Sequence, residues 1–213
     1  MTTVIVQCAS RKRTAAGYLH DDDGLPVHIV ANPQLAPSDG NRYCHPDDPI
    51  SHTNATFRDL LNAYNDSPGT NPWNLLPAGE LYDVPVYGEL CRRVESSQLF
   101  ILSAGWGLIR SDFLTPVYDI TFSNQADAWK RRGRNDRYLD YCQLEADSFD
   151  DIVAFCTPAY HELLGQLIRS YRGAKALYRR AGDDSRLVGW QHIEYSTPAR
   201  TNWHYECIRS VLS

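Results

Sequence analysis

Three short stretches of this chain carry the residue types that could do chemistry. In "QCASRKR" (7–13), the small residues Ala9 and Ser10 let backbone amides converge on an anion, and Arg11, Lys12 and Arg13 supply compensating charge. Cys8 in the same stretch is either a nucleophile, if its thiolate is stabilised, or a buried structural thiol. In "FILSAGWGLI" (100–109), an apolar run stops at Ser103, and Gly105 and Gly107 bracket Trp106. Glycine permits positive φ or close backbone approach to a ligand, and the indole could stack on a base or plug the core. Just downstream, "TPVYDITF" puts Tyr118 and Asp119 near the same end, where a carboxylate could act as general base, bind a ribose hydroxyl or simply cap a turn. In "FCTPAYHE" (155–162), Tyr160 and His161 fall in the first turn of a helix. There a histidine could donate to phosphate, relay a proton or be merely structural.

A fourth stretch, "WKRRGRNDR" (129–137), is basic. Lys130, Arg131, Arg132 and Arg134 could hold a nucleic-acid backbone, or the run could be a solvated helix face. Other signatures are missing. The glycines do not complete G-x-G-x-x-G, and there is no P-loop, H-E-x-x-H or G-x-S-x-G. Cys44, His45, Asp47, Asp48 and His52 are spaced like no standard zinc site, so no metal and no cofactor is expected.

These residues must be held by ordinary elements. At 213 residues, with 43% hydrophobic and 22% charged content, the chain suits one domain with a real core. Net charge is −5, so the chain as a whole does not advertise nucleic-acid affinity. Six cysteines without a C-x-x-C pair, an apolar start too short for a secretory signal and no membrane-length apolar stretch predict a cytoplasmic protein with reduced thiols. Cys91, Cys156 and Cys207 read as core filler.

The β-branched "TVIVQ" reads as a buried strand, and residues 15–52 as a loop-rich insertion with one hairpin near the ligand end. Thr53 or Asn54 can cap a helix facing inward through Phe57, Leu60, Leu61 and Tyr64. A second helix follows at "VPVYGELCRRVESS", and "LFILS" is a central strand. A long polar helix is predicted from about 125 to 145. "DIVAFC" is then a strand, "TPAYHELLGQLIRSYR" a helix capped at Thr157, "KALYRR" and "RLVGWQHIEY" are extended, and "TNWHYECIRSVL" is a closing helix. Alternation of strands and helices predicts a single α/β domain over 1–213, with a largely parallel central sheet and helices on both faces. In such sheets ligands bind beyond the carboxyl ends of the strands, where three of the four stretches fall.

Taken together, "VIVQCASRKR", "GELYDVPVYGELCRRV" and "FILSAGWGLIRSDFLTPVYDITF" resemble a family of small bacterial and phage proteins. That family shows C-x-S-x-K after an N-terminal strand, then S-A-x-x-G-L and P-Y-D, and is loosely similar to the peroxide-stress YaaA group. "TPAYHELL" is similar to its later G-x-x-Y-x-x-L segment. This chain departs from the pattern at Val117, between Pro116 and Tyr118, and in the insertion after Arg13. The resemblance implies an α/β fold, a pocket built by these motifs, and a role in nucleic-acid or nucleotide metabolism. The predicted function is therefore an enzyme acting on a nucleotide or nucleobase, at an N-glycosidic bond in a nucleotide or in modified DNA. Asp119, Tyr118 and His161 are its catalytic candidates. Cys8, Ser10, Arg11, Lys12, Ser103, Gly105, Trp106, Gly107 and Tyr160 are the ligand-binding candidates. The alternative is a non-catalytic nucleic-acid-binding or stress-response protein.

Overall fold

The apolar run at the N-terminus becomes the middle of the main sheet, because a strand buried on both faces must be apolar throughout. The computed structural model describes residues 2–50, 53–133, 136–145, 147–183 and 186–212. Its strands are β1 (Thr2–Gln7), β2 (Leu19–His20), β3 (Pro26–Val30), β4 (Arg42–Cys44), β5 (Leu76–Pro77), β6 (Leu99–Ser103) and β7 (Gly107–Arg110). They continue with β8 (Leu114–Thr115), β9 (Tyr118–Asp119), β10 (Tyr141–Cys142), β11 (Asp151–Phe155), β12 (Lys175–Arg180) and β13 (Gln191–Tyr195). The helices are α1 (Phe57–Asp66), α2 (Pro85–Arg93), α3 (Pro158–Leu167) and α4 (Trp203–Val211).

Seven strands form the main sheet in the order β10-β7-β6-β1-β11-β12-β13. β6, β1, β11, β12 and β13 run parallel, β7 returns antiparallel to β6, and β10 lies parallel to β7. The chain leaves β1 on one side to build β6, β7 and β10, then crosses to the other side for β11. The carboxyl ends of β1 and β11 therefore flank a topological switch point, where α/β sheets open a crevice.

The segment expected as a loop-rich insertion holds the hairpin β2–β3 but also much more. β4 and β9 both pair parallel with β3, giving a second small sheet. Leu19, Val27, Ile29 and Ile50 from this segment are buried in the common core. Pairing of Val30 with Asp119 and of Ile29 with Tyr118 fastens the segment to the stretch after β7. Strand alternation then sends Tyr118 inward and leaves Asp119 partly exposed.

Three sequence expectations are corrected. Helix α1 is capped by Thr56, not by Thr53 or Asn54: Thr56 Oγ1 accepts the Asp59 amide and Asp59 accepts the Thr56 amide, a reciprocal capping box. Among its described residues, the predicted helix at 125–145 instead holds a 3-10 turn at Ala128–Lys130 and the strand β10. Its backbone groups bond across to other segments: the Trp129 carbonyl accepts the Ala31 and Asn32 amides, and Lys130 O accepts the Thr121 amide. Cys91 faces solvent, whereas Cys156 and Cys207 are buried. No helix among the described residues is long and apolar enough to cross a membrane.

Helix α4 packs on β11 and β12 and carries a histidine inside. His204 is 2% exposed, and neither ring nitrogen has a hydrogen-bond partner. Burial alone pulls its pKa down to about 4. The unfolded chain takes up this proton near the ordinary value of about 6.5, so stability falls as pH drops from there toward 4, by about 3 kcal/mol at most. His204→Phe is expected to remove this part of the acid sensitivity. Urea midpoints at pH 7 and pH 4.5 check it; an equal acid loss in both proteins would show that the folded state accommodates the charged ring.

Candidate functional site

The turn between β6 and β7 is held from both sides. Ser103 Oγ accepts the amides of Gly105 and Trp106 at 3.2 and 3.1 Å. The carbonyls take two buried guanidinium groups: Arg132 donates to Ala104 O at 2.8 Å, and Arg58 donates to Gly105 O at 3.2 Å and Trp106 O at 3.4 Å. Each arginine has its own carboxylate, Asp47 for Arg58 and Asp140 for Arg132, the latter bidentate at 2.9 and 2.6 Å. Without these donors the Ala104 and Gly105 carbonyls would lose their buried partners, at a cost of about 1–3 kcal/mol each, while Trp106 O would keep the Tyr141 amide.

This settles what the glycines and the tryptophan do. Trp106 is fully buried, edge-on to Tyr118 and under Arg58, so it is a core plug rather than a stacking platform. A Cβ on Gly105 would lie 3.0 Å from the Tyr118 ring. Gly107 has φ +89°, and a Cβ there would meet the Tyr141 carbonyl at 2.4 Å. One glycine admits Tyr118 and the other admits β10.

Tyr118 in turn organises the floor of the cleft. Ser103 Oγ donates to its hydroxyl at 2.8 Å, and Tyr82 OH lies 2.9 Å from it. The Cys8 sulfur sits 3.1 Å from Tyr160 OH. Burial pushes Tyr82, Tyr118 and Tyr160 well above the usual phenol range, so these hydroxyls stay protonated. Gln7 Oε1 accepts both the amide and the hydroxyl of Thr157, at 2.7 and 2.9 Å, and so joins the end of β1 to the start of α3.

Above this floor, at the carboxyl ends of β1 and β11, opens a cavity of about 780 Å³. Its walls include Val84, Thr157 and Asn202, the N-cap positions of α2, α3 and α4. None of the three helices has a side-chain cap. Three positive helix ends therefore face one space, which favours an anion, although Pro85 and Pro158 carry no N–H and the amides of Tyr87, Tyr160 and Tyr205 turn back to the N-cap carbonyls. A neighbouring cavity of about 360 Å³ shares Ser10, Arg11 and Thr121 with the first and adds Lys12, Asp119 and Lys130. Lys12 lies 4.2 Å above the Tyr118 ring. Its burial pulls the ammonium below its usual range, while the nearby Cys8 and Asp119 act in the opposite direction. Lys130 Nζ stands 3.9 Å from Asp119 and 3.8 Å from Asp127.

Of the residues singled out from sequence, Cys8, Ser10, Arg11, Lys12, Asp119, Lys130 and Tyr160 come together around this double cavity, with Tyr118 beneath Lys12. Ser103, Gly105, Trp106 and Gly107 do not line it; they build the support behind Tyr118. His161 is buried within α3, its Nε2 3.4 Å from Cys156 O, and lines neither cavity. Arg132 is 8% exposed and committed to Asp140 and Ala104, which removes it from the candidate backbone-binding row. Arg131 is exposed, and Arg134 lies outside the described residues, as does His52. In the Cys44–His52 cluster Asp47 is taken by Arg58. Thr121, Ser123, Gln125 and Tyr205 also line the large cavity. The polar run "TFSNQ" was their one sequence signal, and Tyr205 had none.

No family model matches the chain, and neither does any curated protein or any solved structure. Gly105→Ala is expected to lower stability by about 1–3 kcal/mol, because the Tyr118 ring is walled in and cannot yield freely. Urea denaturation checks this; an unchanged midpoint would show that the Tyr118 packing is loose.

Proposed function

We propose that this protein is an enzyme that takes a phosphorylated nucleotide, free or within nucleic acid, and breaks its N-glycosidic bond. The observation that carries the reading is the convergence of three uncapped helix N-termini beside a carboxylate, Asp119. The helix ends, with Arg11 and Lys12, suit the phosphate. The carboxylate suits the sugar. As the bond from C1′ to the base nitrogen breaks, its electron pair leaves with the base and positive charge gathers on the sugar ring. A carboxylate offsets that charge and positions the water whose oxygen forms the new bond to C1′. The resemblance of the strand-end motifs to a family linked with nucleic-acid and nucleotide metabolism points the same way.

The alternative of a non-catalytic nucleic-acid binder loses some support, since the buried Arg132 drops out of the basic row. Asp119→Asn separates the two readings. It is expected to slow base release from nucleoside monophosphates or short oligonucleotides about 10²–10³-fold, with binding retained. Chromatographic detection of the free base reads this, and unchanged turnover removes Asp119 from the chemistry. Inorganic phosphate should also raise the melting temperature, and Lys12→Met should shrink that shift. A melting curve indifferent to phosphate would count against the anion site.

A further inference from the structure

The outer face of the small sheet carries a strip of rings that the core does not use. Tyr18 and His28 have ring centroids 4.9 Å apart, His28 and Tyr43 5.3 Å, and Tyr43 and Trp129 5.4 Å. All four are partly exposed, while Val27 and Ile29, on the opposite face of β3, are fully buried. The solvent face of a half-buried sheet ordinarily carries polar residues, so a continuous run of rings there serves something outside the core.

Strand register connects the strip to the cleft. His28 pairs with Tyr43, and Val30, two residues further along β3, pairs with Asp119. Side chains two apart share a face, so His28, Tyr43 and Asp119 project from the same side of the sheet. At the far end of the strip Lys130 lies 4.4 Å above the Trp129 ring and lines the smaller cavity together with Asp119. The strip therefore leads to the proposed reaction centre.

We propose that Tyr18, His28, Tyr43 and Trp129 form a stacking platform for unpaired bases, so that the substrate is single-stranded nucleic acid rather than a free nucleotide. The proposal rests on the preceding functional reading for the chemistry at Asp119, but not for the binding. Flat, partly exposed rings in series hold successive bases of any sequence, and adjacent cations hold the backbone. Here Lys130, which lines the smaller cavity, lies over the Trp129 ring, and the exposed Arg131 follows it in the chain. The carboxylates along the strip are engaged: Asp39 accepts the Tyr43 hydroxyl at 3.0 Å, Asp21 pairs with Arg42, and Asp119 and Asp127 flank Lys130. That pattern suits base faces over the rings and phosphates toward Lys130 and Arg131.

The test uses the full-length chain and fluorescein-labelled dT12 and U12, read by anisotropy at fixed low salt, beside base release from free dTMP. Tyr43→Leu and Trp129→Leu are expected to weaken oligonucleotide binding about tenfold or more, while Tyr43→Phe, which keeps the ring and loses the Asp39 bond, binds as the wild type does. Melting curves confirm that each variant is folded; if Trp129→Leu is not, Tyr43→Leu decides. Wild-type binding by Tyr43→Leu, or no oligonucleotide binding by the native chain, overturns the platform. Binding that depends on Tyr43 without any base release would leave the platform standing and sink the glycosidic reading instead. Release from dTMP at the oligonucleotide rate, unaffected by Tyr43→Leu, would overturn the single-strand preference.

Discussion

Two buried guanidinium groups hold the turn on which the cleft is built. Arg58 and Arg132 satisfy the carbonyls of Ala104 and Gly105, which leave the sheet at the end of β6, and Arg58 adds a second donor to Trp106 O, which also accepts the Tyr141 amide of β10. Each guanidinium is itself neutralised, by Asp47 or by Asp140. Removing one member of such a pair leaves a buried charge alone, which costs far more than the pair itself contributes. The arrangement also ties together distant segments: Asp47 comes from the stretch before α1, Arg58 from α1, and Arg132 and Asp140 from the irregular chain before β10.

Consequences run outward from that turn. A fixed Ser103 orients the Tyr118 hydroxyl, and Gly105 leaves room for the ring. Tyr118 sits under the Lys12 ammonium and beside Tyr82. Because strand residues alternate, placing Tyr118 inward turns the next residue, Asp119, toward the cleft. The polarity of the cleft comes from a separate source, the shared direction of α2, α3 and α4, whose N-termini all meet the carboxyl edge of β1 and β11.

Much of this was legible beforehand. The β-branched and apolar runs of β1, β6 and β11 announced a parallel sheet, since only a strand covered on both faces can dispense with polar residues. Cys8, Lys12, Asp119 and Tyr160 could be named because each follows or closely trails a strand that ends abruptly. Trp106 could not be resolved, as an indole between glycines is compatible with a ligand or a core; only Arg58 and Tyr118, distant in sequence, decide between them. The basic run at 129–137 misled for a related reason. Its charges look equivalent in sequence, yet Asp140 and the Ala104 carbonyl draw Arg132 inside and leave its neighbour Arg131 in water.

The amino-acid sequence by itself determined the parallel strands β1, β6, β11, β12 and β13, the starts of all four helices to within a turn, and the small and charged residues at the strand ends, while also pointing to a helix at 125–145 where β10 lies instead. These follow from local periodicity, capping chemistry and the exclusion of polar groups from a buried strand, all of which act within a few residues. Tertiary structure alone decided which charges are buried, that Leu19, Val27, Ile29 and Ile50 complete the core, and that the ring strip and Asp119 share one face. Those outcomes depend on β3 pairing with β4 and β9 and on arginines reaching carbonyls some 30 to 50 residues away. No local pattern encodes such a meeting, because it is selected by the energy of leaving a distant polar group unpaired.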